Sequence, residues 1–346
     1  MKQSQPPGGL RIMVAWGIIG AGVISDTRFA PALTQARDST LVAVHNRDQT
    51  KAEAFARKHG ARRAYSRVED LCQDPDVEAV YIASPNHLHA EHTILAVSHQ
   101  KHVLCEKPMA LDTAECERMI RAAAEAGVIL GVAYMMPFHG SHQVMKRLLS
   151  ENLLGDIALV QSDYLISLPY FQGPSFRLDQ FRLTKELGGG AIMDLGVHCI
   201  NTIRYLMGSA VRSVSSIHAP LHTQCDADTV AVITAQYENG ALGVITLSFI
   251  TEWGRNGIEF YGEKGALISE QSLSQVPEAT VRSYLNGRWT EHSVEPLNPY
   301  VGEIEHFTQC IQTGETPIIS GEQGLADMRV VEAAWASMQS GVRIEL

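Results

Sequence analysis

An uncharged apolar run over residues 12–19 leads directly into Gly20-Ala21-Gly22-Val23-Ile24-Ser25, and a helical pattern follows. This juxtaposition constrains the fold more than any other feature of the chain. A glycine at the end of a buried strand allows a tight turn. A second glycine two residues on leaves backbone N–H groups open at a helix N-terminus, where a pyrophosphate can bind. The third position of such a turn calls for a small residue, and Ser25 takes it. The pattern gains weight from its place inside a strand–helix–strand unit. Short apolar runs at 40–45, 77–83, 102–105 and 128–133, with a brief one from Ala64, alternate with helical patterns at 28–37, 49–59, 68–72, 89–98 and 113–126. Asp112 is placed to cap the last of these helices and Gly127 to stop it. Continuous apolar strands between helices predict a doubly wound parallel sheet of the Rossmann type over residues 13–137.

After about residue 140 the pattern changes. A helix over 143–150 precedes a strand over 157–167, and Gly188-Gly189-Gly190 opens a helix over 191–207. Longer strands follow at 211–218, 229–238, 241–249, 257–261 and 266–269, with Glu238-Asn239-Gly240 suited to a hairpin. Helices over 301–313 and 321–340 finish the pattern. The expectation is an α/β fold: the Rossmann domain, then an α/β domain over 138–346 with a large, mainly antiparallel open sheet that binds substrate and mediates oligomerisation. The final helices are free to pack back on the first domain. The polar residues 1–12, rich in Pro and Gly, are expected to be disordered.

The net charge of −10 argues against a nucleic-acid or anionic-membrane partner, because both want a basic surface. Six cysteines (72, 105, 116, 199, 225 and 310) form no C-x-x-C pair and read as reduced, buried thiols. No apolar run reaches the length of a membrane span, so a cytoplasmic location is expected.

Candidate site residues fall where the strands of an open α/β sheet end, the place such sheets bind ligands. Gly20, Gly22, Val23 and Ile24 form the first turn. Ser84-Pro85-Asn86-His87-Leu88-His89 follows the fourth strand, and Glu106-Lys107-Pro108 ends the fifth. Asp194 and His198 lie four apart and share a helix face. The second strand ends at His45-Asn46-Arg47, with no acid before Asp48 to bind ribose hydroxyls, and a guanidinium at Arg47 suits a 2′-phosphate. The favoured cofactor is therefore NADP, with NAD the alternative.

These motifs, in this order and spacing, resemble the Gfo/Idh/MocA oxidoreductases, named for glucose-fructose oxidoreductase and inositol dehydrogenase. The matching residues are Gly20-Ala21-Gly22, Pro85-Asn86-His87-Leu88-His89, Glu106-Lys107-Pro108, Gly189-Gly190 with Asp194, Gly196 and His198, and Gly321-Glu322-Gln323-Gly324-Leu325. The resemblance implies hydride transfer between a nicotinamide and a sugar, polyol or related hydroxyl or carbonyl substrate. It makes Lys107 the group that polarises the substrate oxygen, His198 the general acid/base, and Asp194 the residue that orients His198 or holds a neighbouring hydroxyl. It places Glu106 at the nicotinamide ribose and a cis bond before Pro108. His87 and His89 are expected to shape their loop and cap the next helix, with the nicotinamide pocket as their alternative place, and Tyr134, His139 and Arg182 are weaker candidates for substrate contact. It also implies a homodimer or homotetramer closed by the open sheet face.

One departure concerns residues 134–139, Tyr-Met-Met-Pro-Phe-His, where the family commonly shows Asn, a variable residue, then Arg-Phe. Met135 and Pro137 replace two polar positions, so the substrate pocket is expected to be unusual. Three other readings compete with this one. They are a glycosidase of the same fold using transient oxidation, a non-enzymatic cofactor sensor, and a zinc enzyme using His87, His89 and His92. The zinc reading is disfavoured because His87 and His89 cannot share a face with His92 in one regular element; no metal is expected.

Overall fold

The computed structural model describes residues 13–168, 181–219 and 226–346. The expected N-terminal tail and Cys225 lie outside them. Six parallel strands form the first sheet: β1 (Val14–Ile19), β2 (Ser39–His45), β3 (Arg63–Tyr65), β4 (Ala79–Ile82), β5 (His102–Glu106) and β6 (Leu130–Ala133). Their order is β3-β2-β1-β4-β5-β6, so the winding reverses between β1 and β4. That reversal opens a crevice beyond the strand ends, the usual ligand position in such sheets.

Local chemistry accounts for the helix boundaries. Asp48 caps α2 (Gln49–His59) by accepting from the backbone N–H groups of Thr50 and Lys51, and Gly60 ends it in the left-handed region at φ 76°. Asp112 caps α5 (Thr113–Ala126) through the Glu115 N–H at 2.7 Å. Helices α3 (Val68–Cys72) and α4 (His89–Ser98) also match their sequence patterns. The first helix does not: it follows the glycine turn directly, as a π-helical turn over Ser25–Phe29 and a short α1 (Ala30–Leu33), and it stops before 37. Its start lies so close to β1 because Ser25 turns its hydroxyl back onto the Gly20 carbonyl at 2.8 Å.

The second sheet has nine strands in the order β14-β13-β12-β11-β7-β10-β9-β8-β15. They are β7 (Ile157–Leu165), β8 (Val211–Ala219), β9 (Val230–Tyr237), β10 (Leu242–Ser248), β11 (Gly257–Gly262), β12 (Gly265–Glu270), β13 (Thr280–Leu285), β14 (Arg288–His292) and β15 (Ile344–Glu345). Only β7 and β10 pair in parallel; every other pairing is antiparallel. The sequence reading did not anticipate β13, β14 or β15. The first two form a hairpin turned by Asn286-Gly287, both with positive φ. That dipeptide is a strong hairpin signal, but the strands around it carry Arg282, Arg288 and Glu291 and so lack a clean apolar alternation.

Three further helices tie the sheets together after α6 (Gly140–Ser150): α7 (Val197–Met207), α8 (Pro299–Thr313) and α9 (Gly321–Ser340). Helix α8 packs against α1 and β2, where Thr308 and Ser39 hydroxyls meet at 2.8 Å and Glu305 receives Arg37. Its Phe307 joins a buried aromatic cluster with Trp16, Phe29 and Tyr81; the last two rings stack at 3.6 Å. Helix α9 packs on both α5 and β8. It holds α7 through buried Asp327, which pairs with Arg204 and accepts from Asn201 Nδ2 at 2.7 Å.

An uncompensated guanidinium left in a buried site is costly. Asp327→Ala is therefore expected to lower unfolding free energy by roughly 3–5 kcal/mol, with Asp327→Asn milder. Equilibrium urea denaturation reads the difference; two variants indistinguishable from wild type would remove this pair from the account of how α7 is held.

Candidate active site

The glycine turn opens into the crevice. Gly20 has φ 97°, and a Cβ there would lie 2.6 Å from the backbone of Ala83 and Ser84, so β1 and β4 approach this closely only with glycine present. Gly22 is exposed, and a Cβ on it would meet its nearest atom only at 4.0 Å. Its backbone therefore borders open space. Asn46 braces the turn, donating from Nδ2 to the Ala21 carbonyl at 3.0 Å and accepting from Asp48 N–H.

A cavity of about 340 Å³ lies here, lined by Gly22, Val23 and Ile24, by Ala83, Ser84, Pro85, Asn86 and His89, and by Glu106 and Lys107. Its far wall comes from the second half of the chain: Arg182, Asp194, His198, Gln275 and Tyr300. A second cavity of about 260 Å³ shares Lys107, Arg182, Asp194, His198 and Gln275 with the first and adds Arg28, Tyr164, Ile166, Leu168 and Leu273. The shared residues thus stand between two chambers.

At their centre Lys107 Nζ donates to Asp194 Oδ1 at 2.7 Å and to the Asp194 carbonyl at 3.0 Å. Arg182 Nε donates to Asp194 Oδ2 at 3.0 Å. Burial alone would raise the Asp194 carboxyl, but the Lys107 and Arg182 charges outweigh it and hold it well below its ordinary range. Burial, followed by the Lys107 charge, pushes the His198 imidazole well below its ordinary value, so the ring is neutral near pH 7. Its Nδ1 is buried without a hydrogen-bond partner among the described residues. The rings of Tyr134 and Tyr164 flank it at 5.9 and 6.0 Å. The Lys107–Pro108 peptide is cis.

Backbone irregularities place these groups. Asp194 sits in a π-helical turn (Ile192–Gly196) that runs into α7, and Arg28 sits in the π-helical turn after Gly22. Such turns carry one extra residue and re-aim a side chain, and they recur at functional sites. The chain enters the first of them through Gly190 at φ 118°, where a Cβ would strike the Asp228 carboxylate that accepts from Ile192 N–H.

Other candidates serve as supports. Asn86 donates to the Gly188 carbonyl at 3.0 Å, linking the fourth strand's loop to the glycine segment. His89 is buried with Nδ1 on the Pro108 carbonyl at 2.8 Å and Nε2 on the Ser84 carbonyl at 2.9 Å. Two acceptors favour a doubly protonated ring, whereas burial depresses its pKa to about 4. We take the neutral ring, with one carbonyl contact unsatisfied, because full burial penalises a charge more than one weak contact repays. Glu106 accepts from Tyr81 OH at 2.5 Å, and burial raises its carboxyl against the opposing charge of Lys107.

Several expected residues lie elsewhere. His139 lines neither cavity: it is buried, with Nε2 on the Val276 carbonyl and Nδ1 engaged by Ser141, where it caps α6. Tyr134 is buried behind His198 and lines neither cavity. Nor do Asn46, Arg47 or His87. Arg47 is exposed at the end of β2, and His87 is half-buried. Asp194 makes no hydrogen bond to His198; its carboxylate is committed to Lys107 and Arg182 because two cations outcompete a neutral ring. Met135 lines the first cavity and Pro137 is buried. Sequence reasoning missed Arg28, Gln275, Tyr164 and Tyr300. Arg28 carried a weak signal, a cation six residues past Gly22 at the start of the first helical pattern; Gln275 carried none.

Among the described residues no group of three or more His, Cys, Asp or Glu side chains could hold a metal ion, and no helix is long and apolar enough to cross a membrane. Cys72, Cys105, Cys116, Cys199 and Cys310 are free and buried.

Comparison with known proteins matches residues 14–134 to the oxidoreductase family with an NAD-binding Rossmann fold, and residues 142–268 to the GFO/IDH/MocA C-terminal domain. The chain is 29% identical over 328 residues to 1,5-anhydro-D-fructose reductase of Ensifer adhaerens, covering 93% of this chain and 96% of that one. It is 30% identical over 336 residues to D-xylose 1-dehydrogenase (NADP(+)) 2 of Haloferax volcanii, covering 96% and 99%. Among solved structures it resembles aldose-aldose oxidoreductase from Caulobacter crescentus complexed with glycerol, with a TM-score of 0.89, 26% identity, and coverage of 96% and 99%.

Proposed function

The chain belongs to the GFO/IDH/MocA family of oxidoreductases, and from that premise we propose that it moves a hydride between NADP, or secondarily NAD, and a carbinol or carbonyl carbon of a carbohydrate-like substrate. The observation that carries this reading is the placement of Lys107, Asp194 and His198 on the wall shared by the two cavities. One chamber borders the glycine turn and the other does not, so a group bound in each would meet at these three side chains.

The first cavity would take the pyrophosphate and nicotinamide end of a dinucleotide, with the adenosine end running outside it toward Arg47. The open space beside Gly22 admits a pyrophosphate to the backbone, and Val23, Ile24, Ser84, Pro85, Asn86, His89 and Glu106 would flank the rest. When bound, the nicotinamide supplies a carbon that donates or accepts the hydride. The chain's own residues then have distinct tasks. Lys107 Nζ would donate a hydrogen bond to the substrate oxygen and stabilise negative charge there. Asp194, bonded to Nζ, fixes its direction. His198, neutral for the reason given above, would take the hydroxyl proton in oxidation and return it in reduction.

A cofactor-recycling glycosidase and a sensor remain as different classes; the redox relatives favour neither. The preference for NADP rests on Arg47, exposed where β2 ends. The nine-stranded sheet leaves Ile217, Leu242, Tyr284 and Trp289 exposed, which supports a homodimer or homotetramer built on this sheet.

Three measurements follow from this reading. Lys107→Ala is expected to lower turnover by about 10²-fold or more while cofactor fluorescence titration changes little; near-normal turnover would sink the assigned role. Arg47→Ala is expected to weaken NADPH about tenfold and to spare NADH, and equal effects on both would end the NADP argument. Sedimentation at micromolar concentration is expected to return a dimer or larger, and a monomer would refute the sheet-face assembly.

A further inference from the structure

The second cavity is rich in cations. Arg28, Lys107 and Arg182 all line it, and Asp194 is the one carboxylate among the described residues that does so. Asp194 is already shared between Lys107 and Arg182, at 2.7 and 3.0 Å. Glu106 lines the other cavity. Arg28 has no carboxylate partner among the described residues; its Nε donates to the neutral Gln275 Oε1 at 3.2 Å. That bond spans the cleft, from the turn after Gly22 to the loop that follows β12.

A half-buried guanidinium held by a neutral acceptor is incompletely compensated, and closing a substrate over it would remove more water. A neutral polyol hydroxyl repays little of that cost. A carboxylate or phosphate repays it well, because the guanidinium fork matches two oxygens at once. Arg182 is positioned to assist: its guanidinium lies over the Phe181 ring at 4.5 Å and is fixed at Nε by Asp194.

We propose that the substrate is an anionic carbohydrate, a sugar acid or sugar phosphate, whose charged group seats at Arg28 and Gln275 while its reacting carbon lies at Lys107 and His198. This inference rests on the oxidoreductase reading for the second half of that statement only; the anion site stands on the cavity itself.

The test uses the full chain with bound NADPH. Sugars are titrated in matched sets (glucose, galactose and mannose, each as the neutral aldose, the uronate and the 6-phosphate), and binding is followed through cofactor fluorescence. In at least one set a charged member is expected to bind about 10- to 100-fold more tightly than its neutral partner, and whether the uronate or the phosphate benefits identifies the anion. Arg28→Gln should abolish that preference, Arg28→Lys should restore part of it, and NADPH affinity should stay within about twofold in both. No charged sugar binding more tightly than its neutral partner would overturn the proposal. So would an Arg28→Gln variant that weakens NADPH as much as the sugar, since Arg28 would then serve the cofactor. Arg28-dependent binding of an anionic sugar without hydride transfer in either direction would uphold the anion site and refute the oxidoreductase reading.

Discussion

The site depends on a charge pair that reaches from one half of the molecule to the other. Lys107 stands at the end of β5, and Asp194 lies 87 residues later in a π-helical turn of the second half. Both side chains are mostly removed from water, at 15% and 12% exposure. In such a place the attraction is strong, but so is the cost of desolvating each partner, and neither charge is tolerable alone. Arg182 adds a second cation on the same carboxylate. The ammonium is thereby held at the wall between the two cavities.

The same field explains the state of His198. Its ring is buried one helical turn from Asp194, yet makes no bond to it, because the carboxylate is fully engaged. Lys107 adds a positive charge nearby, and burial already disfavours imidazolium. A neutral ring beside a fixed ammonium divides the labour in the proposed reaction, with one group stabilising oxygen charge and the other free to accept a proton. A related arrangement lies behind the Lys107 strand end, where half-buried Glu106 lies near buried Glu303. Burial and the charge of Glu106 push the Glu303 carboxyl well above its ordinary range, which keeps the pair from carrying two charges.

Much of this architecture was legible in the residue order. Helices with an acidic cap and a glycine stop, such as 49–59 and 113–126, match the structure at both ends because their boundaries are set by local hydrogen bonds. Most of the parallel strands were legible as apolar runs. Less legible were β13 and β14, whose half-exposed faces mix charge and apolar residues, and β15, two residues long, which exists because it pairs with β8. The π-helical turns were invisible as such, since an extra residue in a turn has no compositional mark. Among the site residues, Lys107, Asp194 and His198 stood out by motif. His139 was misplaced because a histidine near a strand end looks the same whether it lines a cavity or caps a helix.

The sequence by itself determined the alternation of strand and helix, the glycine turn, and the residue types able to handle a proton and a developing oxyanion. These are local matters of periodicity, φ angle and side-chain chemistry. Only the tertiary structure decided which of those residues meet. It paired Asp194 with Lys107 and Arg182 in place of His198, brought Arg28 across to Gln275, 247 residues away, and set the shared wall between two cavities. Those outcomes follow from how two sheets pack through α7, α8 and α9. Contacts between distant residues are fixed by that packing, and no spacing along the chain records it.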